Sequence, residues 1–115
     1  MMALSVDELE LAPLRAVMTL AGAKARLIEH RCGWHGDGAF RDRRHDIELS
    51  FVDDAVSSDG LAFLKALRAH EFELPGLMVA SIGLTRTRFC PGPRAELFLA
   101  VEMVVWELPH VAVAA

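Results

Sequence analysis

The segment 77–108, LMVASIGLTRTRFCPGPRAELFLAVEMVVWEL, contains two apolar arms on either side of a proline–glycine turn. Both arms are rich in β-branched and aromatic residues, which favour extended strands. Between the arms, Pro91 fixes φ at about −65° and Gly92 can adopt a positive φ, so the chain can reverse direction. The segment therefore predicts a long β-hairpin with arms at 77–89 and 95–108.

The alternation of apolar side chains predicts the two faces of this hairpin, because a slip of one residue moves every side chain to the other face. We expect the inner face to contain Met78, Ala80, Ile82 and Leu84 beside Leu97, Leu99, Val101, Met103 and Val105. The outer face then contains Val79, Ser81, Gly83, Thr85 and Thr87 beside Glu96, Phe98, Ala100, Glu102, Val104 and Trp106.

Four side chains on this outer face are apolar where a solvated strand is normally polar: Phe98, Ala100, Val104 and Trp106. The whole chain is also apolar for its length of 115 residues, with 53% hydrophobic residues and a mean hydropathy of +0.30. Exposed apolar patches commonly mark contacts with other proteins. We therefore predict a homodimer or a higher homo-oligomer that forms through these four residues.

The chain before the hairpin begins with a predicted helix. Residues 5–8, SVDE, have the pattern of a capping box, and apolar residues then recur at helical spacing as far as Ala21. Gly22 is a typical helix stop. Pro13 leaves two alternatives: the helix kinks there, or a new helix starts with Pro13 in its first turn.

Two strands and a second helix follow. The segment 24–34 is interpreted as an edge strand, with Ala25, Leu27 and Glu29 on one face and Arg26, Ile28 and His30 on the other. Turn residues at 35–38 are followed by segment 46–51, in which polar and apolar residues alternate. This pattern indicates a strand with one solvent-exposed face. Residues 57–59, SSD, are candidate caps for a helix over 60–72.

The element order is therefore α-β-β-α-β-β, which predicts an α+β fold. The simplest way to bury the apolar faces is a four-stranded antiparallel sheet with both helices on one face. The length fits a single domain over residues 1–115.

Charge and composition exclude several classes of function. The net charge of −4 and the pI of about 5.7 argue against a nucleic-acid-binding protein. The most apolar run, 97–106, is too short for a membrane span and contains Glu102. The first residues lack the pattern of a secretion signal, which predicts a cytoplasmic protein whose Cys32 and Cys90 remain thiols.

Several short motifs resemble those of a group of short, uncharacterised bacterial α+β proteins. They are Trp34, Phe40, Arg44-His45 before Ile47-x-Leu49, His70-Glu71-Phe72, and Leu74-Pro75-Gly76. The resemblance covers roughly residues 34–80 and implies no established activity. The order of the elements is also similar to that of phage tail-completion proteins, which assemble into rings.

A metal site is one candidate for the chemistry of this chain. His30, Cys32, His35 and His45 are residue types that bind zinc, and a hairpin could bring them together. Their spacing matches no familiar zinc motif, and His35 is expected in the turn rather than on the strand face of His30 and Cys32. We therefore predict no metal and no other cofactor, with these four residues as the alternative.

An anion site is the second candidate. Arg44 and His45 lie at the start of the second strand, and Arg86 and Arg88 could lie at the same end of the sheet. Guanidinium groups bind phosphate or carboxylate groups in a bidentate manner. Alternation places Arg44 on the face of Asp46, beside an acidic group or an anion, and His45 on the opposite face, at least partly covered.

The sequence contains no recognisable catalytic constellation, such as a Ser-His-Asp triad or a carboxylate pair. Whether the protein is an enzyme is therefore left open, and no small-molecule ligand is specified. We predict a non-enzymatic, self-associating interaction or assembly module. The alternative is a small-anion-binding protein or an enzyme that uses an Arg44–His45 corner, including one completed at a subunit interface.

Overall fold

The computed structural model describes residues 6–34 and 42–108. The elements are α1 (Val6–Ala21), β1 (Arg26–Trp34), β2 (Asp42–Val52), a π-helical turn (Val56–Gly60), α2 (Leu61–Ala69), β3 (Leu77–Cys90) and β4 (Glu96–Glu107). The strands form one antiparallel sheet in the order β1-β2-β4-β3. The predicted α+β fold with the order α-β-β-α-β-β is confirmed.

The core lies between the two helices and the inner face of the sheet. The two central strands contribute the buried residues Ile47, Leu49, Phe51, Leu97, Leu99, Val101, Met103 and Val105. The helices contribute Val17 and Ala21 from α1 and Phe63 and Leu67 from α2. Strict alternation along β2 and β4 fixes these rows, and the row predicted for β4 is confirmed.

The predicted inner row of β3 is half correct. Ile82 and Leu84 lie opposite core residues of β4, as expected. The expected positions of Met78 and Ala80 are wrong, because Val79 lies opposite Val105 on the inner face and Met78 lies opposite Trp106 on the outer face.

Two β-bulges explain this difference. The pairing of β3 with β4 shifts between Val79 and Ser81, and it shifts again between Leu84 and Arg86. Each bulge inserts one extra residue, so the side chains beyond it change face. For this reason Thr87, which was predicted on the outer face, is paired with an inner-face residue of β4.

The helices cover the centre of the inner face but not all of its edges. On β3, Leu84 is 41% exposed and Phe89 is 52% exposed, although both are paired with buried residues of β4. On β1, Leu27 is 45% exposed opposite the fully buried Leu49. The two edge strands therefore present apolar side chains on the helix side of the sheet.

The first helix is continuous through Pro13, which is fully buried inside it. This result decides between the two alternatives for Pro13 in favour of a single helix. The helix ends at Ala21, and Gly22 has a φ of +95°, which agrees with its predicted role as a stop. Ser5 of the predicted capping box lies outside the described residues.

The second helix, α2, is shorter than the predicted range 60–72: it starts at Leu61 and ends at Ala69, and the π-helical turn Val56–Gly60 precedes it directly. The hydroxyls of Ser57 and Ser58 donate to the carbonyl oxygen of Asp54, at 3.5 and 3.1 Å, so they do not cap a later helix. A Cβ on Gly60 would lie 3.1 Å from Leu97 Cδ2, which shows that the helical backbone here rests directly on the core. Neither described helix has the length and apolar character needed to cross a membrane.

Candidate functional site

A cluster of polar side chains lies on the inner face where β1 pairs with β2. Cys32 lies directly opposite His45 in the antiparallel register. His30 precedes Cys32 by two residues and Arg43 precedes His45 by two, so all four share one face. Directly opposed and diagonal side chains on one face are within reach of each other. We call His30, Cys32, Arg43 and His45 the thiol–histidine cluster.

A β-bulge in β1 helps to build this cluster. Simple alternation predicted Leu27 and His30 on opposite faces, and that expectation is wrong. The pairing shifts by one residue after Leu27, which makes Ile28 the extra residue and places Leu27 and His30 together on the inner face. His30 therefore points to the side of the sheet on which His45 is buried.

The two imidazole rings are joined edge to edge. His30 Nε2 lies 3.0 Å from His45 Nδ1, the ring centroids are 5.3 Å apart, and the ring planes differ by 6°. The centroid separation exceeds the N···N distance only by the combined radii of two imidazole rings. The rings therefore lie in nearly one plane, which is the geometry of an in-line N–H···N hydrogen bond rather than of a face-to-face stack.

The chain of hydrogen bonds continues to the thiol. His45 Nε2 lies 3.7 Å from Cys32 Sγ. A neutral imidazole has one donor and one acceptor nitrogen, so two arrangements are possible. In the first, the Cys32 thiol donates to His45 Nε2 and His45 Nδ1–H donates to His30 Nε2. In the second, both bonds run in the opposite direction.

His45 is neutral at neutral pH. Its side chain is 0% exposed, and burial lowers its pKa from 6.5 to about 4. The positive charges of His30 and Arg43 lower this pKa further, and the negative charge of Asp46 opposes them. Arg43 also contacts the thiol, since its Nη1 lies 4.0 Å from Cys32 Sγ.

The outer face of β2 has a different character. Arg44 Nε donates to Asp46 Oδ2 at 3.1 Å and lies 3.4 Å from Glu102 Oε2 on β4. Arg44 therefore has acidic partners on its own face, whereas His45 is fully buried on the other face. The two residues of the predicted anion corner are thus separated by the thickness of the sheet.

The other two residues of the predicted anion site also have partners on the outer face. Arg86 Nη2 on β3 donates to Glu48 Oε2 on β2 at 3.1 Å. The two side chains meet above Ala100 of β4, whose small size leaves room for them. The Cζ atom of Arg88 lies 4.2 Å from the centroid of the Phe98 ring, which is a cation–π contact.

Three of the four alternative metal ligands lie together: His30, Cys32 and His45. His35 lies outside the described residues. Within the described ranges, no group of three His, Cys, Asp or Glu side chains is arranged to hold a metal ion. The facing nitrogens of His30 and His45 share a hydrogen bond, so a metal between them would have to push the rings apart.

The four predicted interface residues lie on the outer face of β4. Phe98, Ala100 and Trp106 are half-buried, and Val104 is 5% exposed. Neither described helix packs against this side of the sheet.

The contact of Arg43 with Cys32 was missed by sequence reasoning. A hairpin with Asp37-Gly38 as a two-residue turn would place Cys32 opposite Arg43 and His30 opposite His45. The described register is displaced by two residues from that arrangement, which preserves the faces. The hairpin spacing therefore indicates that these residues share a face and lie near one another, but it does not give their register, and the turn itself lies outside the described residues.

Comparison with known proteins gives no family model that matches the chain. No curated protein gives a significant match either.

Proposed function

We propose that this protein is a self-associating module of the cytoplasm whose copies meet through the outer face of the sheet. The observation that carries the proposal is the composition of this face, which neither described helix covers. Apolar side chains of β4 occupy its centre line, and Met78, which is 41% exposed, extends them beside Trp106. Interfaces typically combine such an apolar centre with a polar rim.

The charges around this centre support association with a second copy. Both signs alternate across the face, in the pairs Glu29–Arg31, Arg44–Asp46 and Glu48–Arg86. A two-fold axis places the same patch against itself, so a patch with both signs can meet its copy with opposite charges in contact. A patch of one sign would repel its copy.

Trp106→Glu is expected to weaken self-association by about 30-fold or more, because loss of an aromatic residue that anchors an interface typically costs about 2 kcal/mol or more of binding free energy. Sedimentation velocity across micromolar concentrations measures the effect. We expect the unmodified chain to form dimers or larger oligomers in the range where the variant is monomeric.

Phe89→Glu is the matched control, since Phe89 is an exposed aromatic residue on the opposite face. It should leave the association constant unchanged. If Phe89→Glu dissociates the oligomer and Trp106→Glu does not, the contact between copies lies at the uncovered edge of the inner face instead. A wild-type chain that stays monomeric throughout would remove the proposal entirely.

A further inference from the structure

We propose that Cys32 is a reactive thiol that a hydroperoxide oxidises to a sulfenic acid, with His45 and His30 as its proton relay. The proposal rests on the in-line geometry of the thiol–histidine cluster. The thiol contacts one nitrogen of His45, and the other nitrogen of the same ring contacts His30. A nucleophile, a base and a third group that orients the base are the parts that activate a catalytic cysteine.

The relay does not require His45 to carry a charge. When Nε2 of His45 accepts the thiol proton, Nδ1 can release its own proton to Nε2 of His30. The buried ring then changes only its tautomer. The positive charge appears on His30, which is half-buried rather than fully buried. The thiolate is left beside the guanidinium of Arg43, which favours the charged sulfur.

The reaction balances without a further reagent. The thiolate sulfur attacks one oxygen of the hydroperoxide, so an S–O bond forms and the O–O bond breaks. The sulfur loses two electrons and the peroxide gains them. The proton held on His30 returns through His45 to the leaving oxygen, so hydrogen peroxide yields water and Cys32 becomes a sulfenic acid.

The need for a returning proton is the reason to choose a hydroperoxide. Hydroxide is a poor leaving group, so cleavage of the O–O bond benefits from a proton delivered at the reacting atom. The reaction of the thiolate with an alkylating agent would not be accelerated by this return of the proton. A peroxide is also small enough to approach a half-buried sulfur that is flanked by Arg43 and His45.

Cys90 provides an internal control in the same chain. Both thiols are free and half-buried, and each has an arginine donor nearby: Arg43 Nη1 at 4.0 Å from Cys32 and Arg88 Nη1 at 3.9 Å from Cys90. In the described part of the chain only Cys32 has a histidine hydrogen bond. A difference in reactivity between the two therefore reports the contribution of the histidines.

The test is oxidation of the full chain by hydrogen peroxide at neutral pH, with dimedone to trap sulfenic acid and peptide mass spectrometry to separate the two sites. We expect Cys32 to react about 100-fold faster than Cys90, near the lower end of what positioned proton transfer contributes. The rate at Cys32 should also fall more in D₂O than the rate at Cys90, because protons move along the relay. In concentrated urea the two rates should become equal.

His30→Gln and His45→Gln should each lower the rate at Cys32 towards that of Cys90 and leave Cys90 unchanged. His70→Gln, at an exposed histidine after α2, should change neither rate. If His45→Gln does not fold, His30→Gln on the edge strand decides the question. A loosened structure would instead raise both rates, so the direction of the change separates a relay from a packing role.

Three results would overturn the proposal. One is equal reactivity of Cys32 and Cys90 in the folded chain. Another is an unchanged rate at Cys32 in His30→Gln. The third is one tightly held metal ion per chain, found by elemental analysis of protein purified without a histidine tag and lost in Cys32→Ser, since a metal would occupy the lone pairs that the relay uses.

Discussion

Phe51→Ala is expected to lower the free energy of unfolding by about 3 to 5 kcal/mol, the usual cost of truncating a fully buried phenylalanine. Phe51 is 0% exposed, and its ring centroid lies 6.1 Å from that of Phe63 on α2. The backbone at Gly60 also approaches it closely. These groups have little freedom to fill the space that the ring leaves, so a cavity adds to the lost burial. Urea denaturation measures the difference.

Phe89→Ala is the matched comparison, because Phe51 and Phe89 flank Leu97 in the same row across the sheet. Phe89 is 52% exposed, so its truncation should cost about 1 kcal/mol or less. Both variants should be measured at one chain concentration, since association would add to apparent stability. Equal losses would mean that the helices cover both ends of this row, contrary to the structure.

The central part of the fold could be predicted because the sequence alternates without interruption there. Ile47, Leu49 and Phe51 must share a face, and a register error of one residue would expose all three. β3 could not be predicted in the same way. Its two bulges add Ala80 and Thr85, and neither residue type marks a bulge in the sequence, so a strict alternation fails beyond them.

The thiol–histidine cluster depends on long-range register, which local patterns do not determine. Same-face alternation could place His30 beside Cys32, and it could place His45 on the covered side of β2. It could not fix which of them lies opposite which, because that depends on the turn between β1 and β2. The separation of Arg44 from His45 was predictable, since adjacent residues on a strand point to opposite faces.

Lowering the pH from 7 to 5 is expected to reduce the free energy of unfolding by about 2 kcal/mol through His45 alone. The pKa of His45 is about 4 in the folded chain and has the ordinary value of 6.5 when unfolded. Between these values the unfolded chain binds more protons, so acid favours unfolding. The stabilisation is therefore fully present above pH 6.5, and it is lost as the pH falls towards 4.

His45→Gln removes this titration but keeps hydrogen-bonding groups at the site, so its unfolding free energy should change by about 2 kcal/mol less over the same pH range. Urea denaturation at pH 7, 6 and 5 gives the comparison, and His70→Gln, at an exposed histidine, should retain the wild-type slope. The groups that act on His45 are His30, Arg43 and Asp46. Any loss of unfolding free energy between pH 7 and pH 5 that persists in His45→Gln must come from other groups, His30 included. If instead the pH dependence of the unfolding free energy is lost in His45→Gln, the His45 imidazole is neutral in the folded core. The proton relay to Cys32 requires this neutral state.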